Sequence, residues 1–328
     1  MNEFDESKFY TYGKNIIWSL PLLFEFEATW AAIYDHFRLY GIDIPSVNAY
    51  GSPANAWTGG RQPSFKDKLD ANSLKKIFEY MYSVNATPTI VFSYTGITKD
   101  DLKDEYANYL LDAALEADAR FIVFSDMLRD YIKEKKPDAE IVASVIKPIF
   151  EFQGENAKNW TAEKETEYYN KLLKEYDIVV VRPEYSRSVL LETPEVIDDI
   201  SRVEVLINQH CIANCPKALN HYRYMDSTRL GAREGIFTCY RYNFPNGKFA
   251  YKNSVAHDKE IVKKLVSSGV KHLKLQGRSN LHAPEGHALL LFSNMFNVTG
   301  PNQIIIEDLL YEVIKNKINH FNAYMQIN

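Results

Sequence analysis

The chain has 328 residues, 46% of them hydrophobic and 25% charged, with a formal net charge of −5. That apolar content excludes a disordered chain, and the mild negative charge argues against gripping nucleic acid by bulk electrostatics, leaving room only for a local basic patch. Three cysteines are too few, and odd in number, for a disulfide framework, so they read as ligands, nucleophiles or core residues in a reducing compartment. The acidic opening Met1-Asn2-Glu3-Phe4-Asp5-Glu6 lacks the positive charge of a secretory leader. The apolar run from Ile16 to Phe24, closed by Glu25 and Glu27, is too short to span a bilayer. A cytoplasmic protein with no membrane association is expected.

The first 45 residues carry weak signals. Trp30, Ile33, Tyr34 and Phe37 fall at helical spacing between Glu27 and Tyr40, with Gly41 as a C-cap. A short strand at Val47–Tyr50 leads into a glycine-containing loop, Gly51 to Arg61, with an exposed-type Trp57. Leu69 to Val84 reads as a helix. Thr89 to Ser93 is a β-branched apolar run and hence a buried strand. A helix spans Asp100 to Ala117, capped by Thr98 or Asp100.

The rhythm then repeats. Strands are predicted at Phe121–Phe124, Glu140–Val145, Ile178–Val181, Val203–Ile207 and His272–Leu275. Helices are predicted at Asp126–Lys136, where Pro137 stops the run, at Thr161–Tyr176, Pro194–Ser201 and Lys259–Ser268, and near His287–Phe296 and Ile304–Ile318. Strands alternating with helices imply a parallel sheet with right-handed crossovers. Several strands end in polar residues: Ser93, Ser125-Asp126, Ser144, Arg182, Asn208 and Gln276-Gly277-Arg278. Barrels of this class build their sites from such strand ends. The expectation is an α/β fold of one domain, residues 1–328: an incomplete or distorted parallel β/α (TIM-like) barrel. It carries a Cys/His/aromatic insertion at 208–253 and a C-terminal helical extension at 279–328.

All three cysteines lie in that insertion. Cys211 and Cys215 follow the end of a strand, Pro216 comes next, His221 sits six positions after Cys215, and Cys239 follows. A four-residue offset lets two thiolates face one metal across a turn, and soft thiolates select zinc or iron–sulfur clusters. Three readings stay open on spacing. A [4Fe–4S] cluster would sit on Cys211, Cys215 and Cys239, its fourth iron open or bound by His221 or a substrate. A structural zinc would sit on the same three cysteines with His221. Or three buried thiols hold no metal. Within the last, Cys211 beside His210 offers a thiolate–imidazolium pair, although neighbours on an extended chain point apart.

Glu204-Val205-Leu206-Ile207-Asn208 leading into Cys211, Cys215-Pro216 and His221-Tyr222 resembles the cysteine segment of the collagenase-like, U-family (U32) peptidase barrels. Gly269 through Arg278 resembles that family's late strand, with Gln276 replacing the usual Glu. The resemblance implies a β/α barrel. It also implies kinship with iron–sulfur proteins of ubiquinone and RNA hydroxylation, which carry a [4Fe–4S] cluster on four cysteines. Here Cys211, Cys215 and Cys239 match that pattern and a fourth does not. The implied activity is an iron–sulfur-dependent biosynthetic enzyme, of oxidoreductase or lyase type, acting on a small or carrier-bound substrate. The alternative is a zinc-containing hydrolase or an accessory binding subunit.

Other residues have two readings each. Arg278, at the end of the last strand, is placed to clamp a carboxylate or phosphate, or to make a structural ion pair. Arg61 closes a loop suited to an anion at a barrel mouth, or to plain surface. Asp104 and Asn108, one helical turn apart, either hydrogen-bond the neighbouring loop or are ordinary surface residues, the latter favoured. Tyr240, Arg241 and Tyr242 flank Cys239 and either line a pocket or pack the insertion. His257, His282 and His287 show no ligand spacing. No phosphate loop, dinucleotide fingerprint or His-Glu-x-x-His is present. The candidate site is therefore Cys211, Cys215, Cys239 and His221 around a metal, with Arg61 and Arg278 beside a substrate. A partner protein or a second copy of the chain is left open.

Overall fold

The computed structural model describes residues 16–24, 27–39, 46–59, 68–209, 211–227, 237 and 259–276. Eight parallel strands follow one another in chain order around a closed barrel: β1 (Ile17–Leu20), β2 (Ser46–Gly51), β3 (Ala86–Phe92), β4 (Arg120–Val123), β5 (Ile141–Ala143), β6 (Ile178–Val181), β7 (Val203–Leu206) and β8 (His272–Lys274). The circuit closes where β8 pairs with β1, Trp18 opposite Leu273 and Ser19 opposite Lys274. The parallel β/α barrel expected from the sequence is thus the fold, and its ring is complete. The strand that completes it, β1, is four residues long, too short for its apolar run to show a clear alternation in the sequence.

Helices cross over between strands: α1 (Glu27–Leu39), α2 (Ala71–Ser83), α3 (Glu105–Glu116), α4 (Asp126–Lys135), α5 (Ile146–Phe152), α6 (Ala162–Glu175), α7 (Ala218–Ser227) and α8 (Lys259–Ser267). Their starts are written in short polar side chains. Asp70 accepts from the Ser73 N–H, Ser125 from Leu128 and Thr161 from Lys164, each satisfying a first-turn donor. The predicted helix from Asp100 divides in two. A 3₁₀ turn covers Asp101–Lys103, and Asp104 then caps α3 through the Ala107 N–H. Asp104 is therefore a cap, and Asn108 a brace: it donates to the carbonyls of Leu102 and Asp104 and accepts from the Tyr131 hydroxyl. The helix predicted at Pro194–Ser201 is instead two 3₁₀ turns, Pro194–Val196 and Ile200–Arg202.

Alternation along each strand divides the core in two. Outward residues such as Trp18, Val47, Phe92, Phe121, Val179, Val205 and Leu273 pack with Leu74, Leu111, Leu128, Leu172 and Leu265 of the helices. Each such side chain, fully buried, contributes roughly 1.5–3 kcal/mol. Inward residues Tyr50, Val91, Ile122, Val142, Ile178 and Val180 form a separate apolar cluster. Other inward positions carry buried polar side chains, among them Ser19, Asn48, Thr89, Arg120, Glu204, His272 and Lys274. The lumen thus holds an apolar cluster with the hydrogen-bonded Ser19, Glu204 and Lys274 group beside it.

The loop after β2 is not the open surface that its glycines suggest. Trp57 is fully buried, its indole donates to the Asp101 carbonyl, and its ring meets Phe92 edge-on at 5.3 Å. Asn55 ties the loop to itself through Pro53 and Thr58. Among the described residues no helix is long and apolar enough to cross a membrane. The predicted helices at 287–296 and 304–318, and the extension at 279–328, lie outside the described residues.

Candidate functional site

The C-terminal ends of the strands open into two adjoining hollows that share Val145, Leu206, Tyr222 and Gln276. The first, about 130 Å³, lies over the lumen and is bordered by Tyr50, Ser93, Ser144, Asp226 and Lys274. The second, about 60 Å³, lies beside it under the cysteine segment and is bordered by Gln153, Gln209, Cys211, Cys215 and His221. Of the polar strand ends read from the sequence, Ser93, Ser144 and Gln276 face these hollows. Ser125 caps a helix instead. Asn208 locks the ends of β7 and β8 together: its amide donates to the Gln276 carbonyl at 2.9 Å, and its carbonyl accepts from the Gln276 N–H at 2.8 Å.

The cysteine segment is held down from below. Asn214 sits in the left-handed region at φ 50°, a conformation Asn tolerates better than most residues. Its N–H donates to Glu184 Oε1 at 2.9 Å, and its side-chain oxygen accepts from Arg182 Nη1 at 3.2 Å. Arg182 is buried and forks onto Glu165 through Nε and Nη2, both at 2.7 Å. Tyr169 and Trp160 donate to the same carboxylate. An arginine fixed this rigidly at the end of β6 gives the loop a defined seat.

From there α7 crosses the mouth. Ala218 and Leu219 at its start pack on Ile149, with Cys215 and Tyr222 against them. At its far end Asp226 accepts from the backbone N–H and the hydroxyl of Thr95, after β3. Gly59 lies beneath: a Cβ there would meet Asp226 Oδ1 at 2.3 Å, so any side chain would have to displace that carboxylate. The insertion is therefore not structureless. It carries a helix that roofs the barrel.

Cys211 and Cys215, both half-buried, border one hollow together with His221. His221 is stacked between aromatic rings, Phe237 at 4.9 Å and Tyr222 at 5.8 Å. Phe237 lines the same hollow, and in sequence it stands two positions before Cys239. Cys239, Arg61, Arg278, the Tyr240–Tyr242 run, His210, His257, His282 and His287 lie outside the described residues. Among the described residues no group of three or more His, Cys, Asp or Glu side chains is gathered closely enough to hold a metal ion.

The sequence reading passed over the charged pair at the floor. Glu204, 1% exposed, accepts from Lys274 Nζ at 2.8 Å and from the Ser19 hydroxyl at 2.5 Å. Lys274 Nζ also lies 4.6 Å from the centre of the Tyr50 ring, whose hydroxyl donates to the Leu275 carbonyl. Burial pushes the Glu204 carboxyl up, but the Lys274 charge, with hydrogen bonds from Lys274 and Ser19, leaves it below the usual carboxylate range. The signal was present in the sequence. A Glu inside Val-Glu-Val-Leu-Ile and a Lys inside His-Leu-Lys-Leu take alternate, lumen-facing positions of two neighbouring strands.

No known family profile and no curated protein sequence matches the chain. Solved structures similar to it include a U32 peptidase, 12% identical, covering 79% of this chain and 91% of that one with a TM-score of 0.42. Another is the D-psicose 3-epimerase of Clostridium cellulolyticum H10, 10% identical, covering 77% and 96% with a TM-score of 0.36. The barrel described above rests on its own strand pairing.

Proposed function

We propose that the chain is an enzyme whose active site is the roofed C-terminal mouth of the barrel. There Cys211, Cys215 and Cys239 hold an iron–sulfur cluster for a biosynthetic reaction on a small or carrier-bound substrate. The observation that carries this reading is the meeting of Cys211 and Cys215 on a hollow continuous with the one above the lumen. A bound cluster supplies electrons or, at an iron lacking a protein ligand, a Lewis acid.

The chain's own residues define the rest. Apolar walls from Val145, Ile149, Leu206 and Ala218 and the roof of α7 limit water at the thiols. Gln209 and Gln276 offer amide donors and acceptors beside them. Gln209 Oε1 is buried with no hydrogen-bond partner among the described residues, so it is a contact awaiting a donor on a ligand. On the lumen side Lys274, fixed by Glu204, presents an ammonium group at the floor, where it can hold an anionic or carbonyl oxygen of the substrate. Arg61 and Arg278 are proposed beside the same substrate, and His221 as a stacked neighbour or fourth ligand of the cluster. The protein is proposed to work in the cytoplasm on a small or carrier-bound substrate, with any nucleic-acid contact confined to a local basic patch.

Cys211→Ala, Cys215→Ala and Cys239→Ala, each purified without oxygen, test the assignment. Each should lose the broad absorption near ~400 nm that a cluster gives. Retention of that band in all three contradicts the ligand set. A colourless parent protein holding one zinc turns the reading to the zinc hydrolase or binding subunit.

A further inference from the structure

The opposite, N-terminal end of the barrel holds a second cavity, about 300 Å³, bordered by Asn48, Thr87, Arg120, Glu140 and His272. Three of these side chains are more than nine-tenths buried: Asn48 at 5% exposed, Arg120 at 5% and His272 at 7%. In all three, polar nitrogens have no hydrogen-bond partner among the described residues: Asn48 Nδ2, Arg120 Nε and Nη2, and His272 Nδ1. Glu140 Oε1 forms an ion pair with Arg120 Nη2 at 2.6 Å without hydrogen-bond alignment, and the Glu140 side chain is about half exposed.

Buried polar groups in folded proteins are nearly always satisfied, so three that converge on one cavity need an account. The unsatisfied edge of Arg120, Nε with Nη2, is the fork that matches two oxygens of a carboxylate or phosphate. Asn48 Nδ2 is a donor in any state, and His272 Nδ1 donates in the tautomer protonated there. We propose that this end of the barrel is a second binding site, separate from the mouth, which takes a small oxyanion on Arg120, Asn48 and His272. The anion completes the guanidinium's hydrogen bonds, and Glu140, at the rim, competes with it for Arg120.

Heat-unfolding of the full chain, titrated with inorganic phosphate, with acetate and with chloride at matched ionic strength, tests this. Phosphate or acetate should raise the midpoint in a saturable way that chloride does not reproduce. A response to phosphate alone marks a tetrahedral ligand, and one to acetate alone a carboxylate. Arg120→Gln should abolish the response. Glu140→Gln, an exposed change that leaves folding intact, should tighten apparent binding by about fivefold by removing the competing charge. Three results overturn the site: equal shifts with chloride, a response kept in folded Arg120→Gln, or no response in the parent and Glu140→Gln alike. The last would leave the cavity holding only water.

Discussion

Glu204 and Lys274 hold opposite charges within the barrel lumen, and their stability is mutual. Removing one partner strands the other charge in a dry site, which costs about 3–5 kcal/mol. Glu204→Gln should lower the free energy of urea unfolding by about that amount, whereas Glu204→Gln with Lys274→Met should recover a large part of it. A loss in the double variant equal to the sum of the Glu204→Gln and Lys274→Met losses would show that the pair is not coupled. His272, beside Glu204 in register, behaves oppositely. Burial pushes its imidazole down to about 4, against the pull of Glu204, with Arg120 and Lys271 adding to the depression. Unfolded, the same ring titrates near 6.5. Between those values the unfolded chain binds a proton that the folded chain refuses. Stability therefore falls as pH falls from 6.5 towards 4, by a total on the order of 3 kcal/mol. Glu204, held below its usual range, adds its own loss only under more acid conditions. His272→Gln should flatten the unfolding free energy between pH 6.5 and 5, and parallel slopes in parent and variant would refute the assignment.

Among the elements, α7 is the one that turns a barrel into a site. It is pinned at one end by Ala218 and Leu219 on Ile149, and at the other by Asp226 on Thr95 over Gly59. Gly59→Ala drives a methyl group into the Asp226 carboxylate, so it should destabilise the protein by roughly 1–3 kcal/mol. Asp226→Ala opens that space, and the two changes together should cost less than their sum in a double-mutant cycle. Strict additivity would mean that the contact does not anchor the helix. Nothing in the sequence of 208–253 announces this element clearly. Its start follows a proline and a left-handed Asn214, and its apolar face is short because it covers a mouth rather than a core. Pro194–Val196 misled in the other direction, with proline and acidic residues that begin a turn but too few apolar positions to continue one. The apolar β-branched runs, by contrast, were legible to within a few residues, since buried parallel strands leave no choice of face.

For the molecule as a whole, pattern and fold agree on a barrel, and closure explains where the chemistry gathers. A complete ring offers two ends and no edges, so polar residues inside the lumen must be paired within it or serve an opening. Glu204, Lys274 and Ser19 are paired and support the mouth. The thiols of Cys211 and Cys215 were visible as candidates because all three cysteines crowd one segment, and the fold brings two of them to one hollow. The lumen pair was not read as a site, because a charged residue in an apolar strand gains meaning only once its partner on the adjoining strand is known. The measurement closest to the central claim is the iron, sulfide and zinc content of a single sample purified without oxygen. About four iron and four sulfide per chain is the result predicted for a cluster on the mouth. One zinc, or no metal in a folded protein, would contradict it and leave Lys274 and the two hollows as the site of a different chemistry.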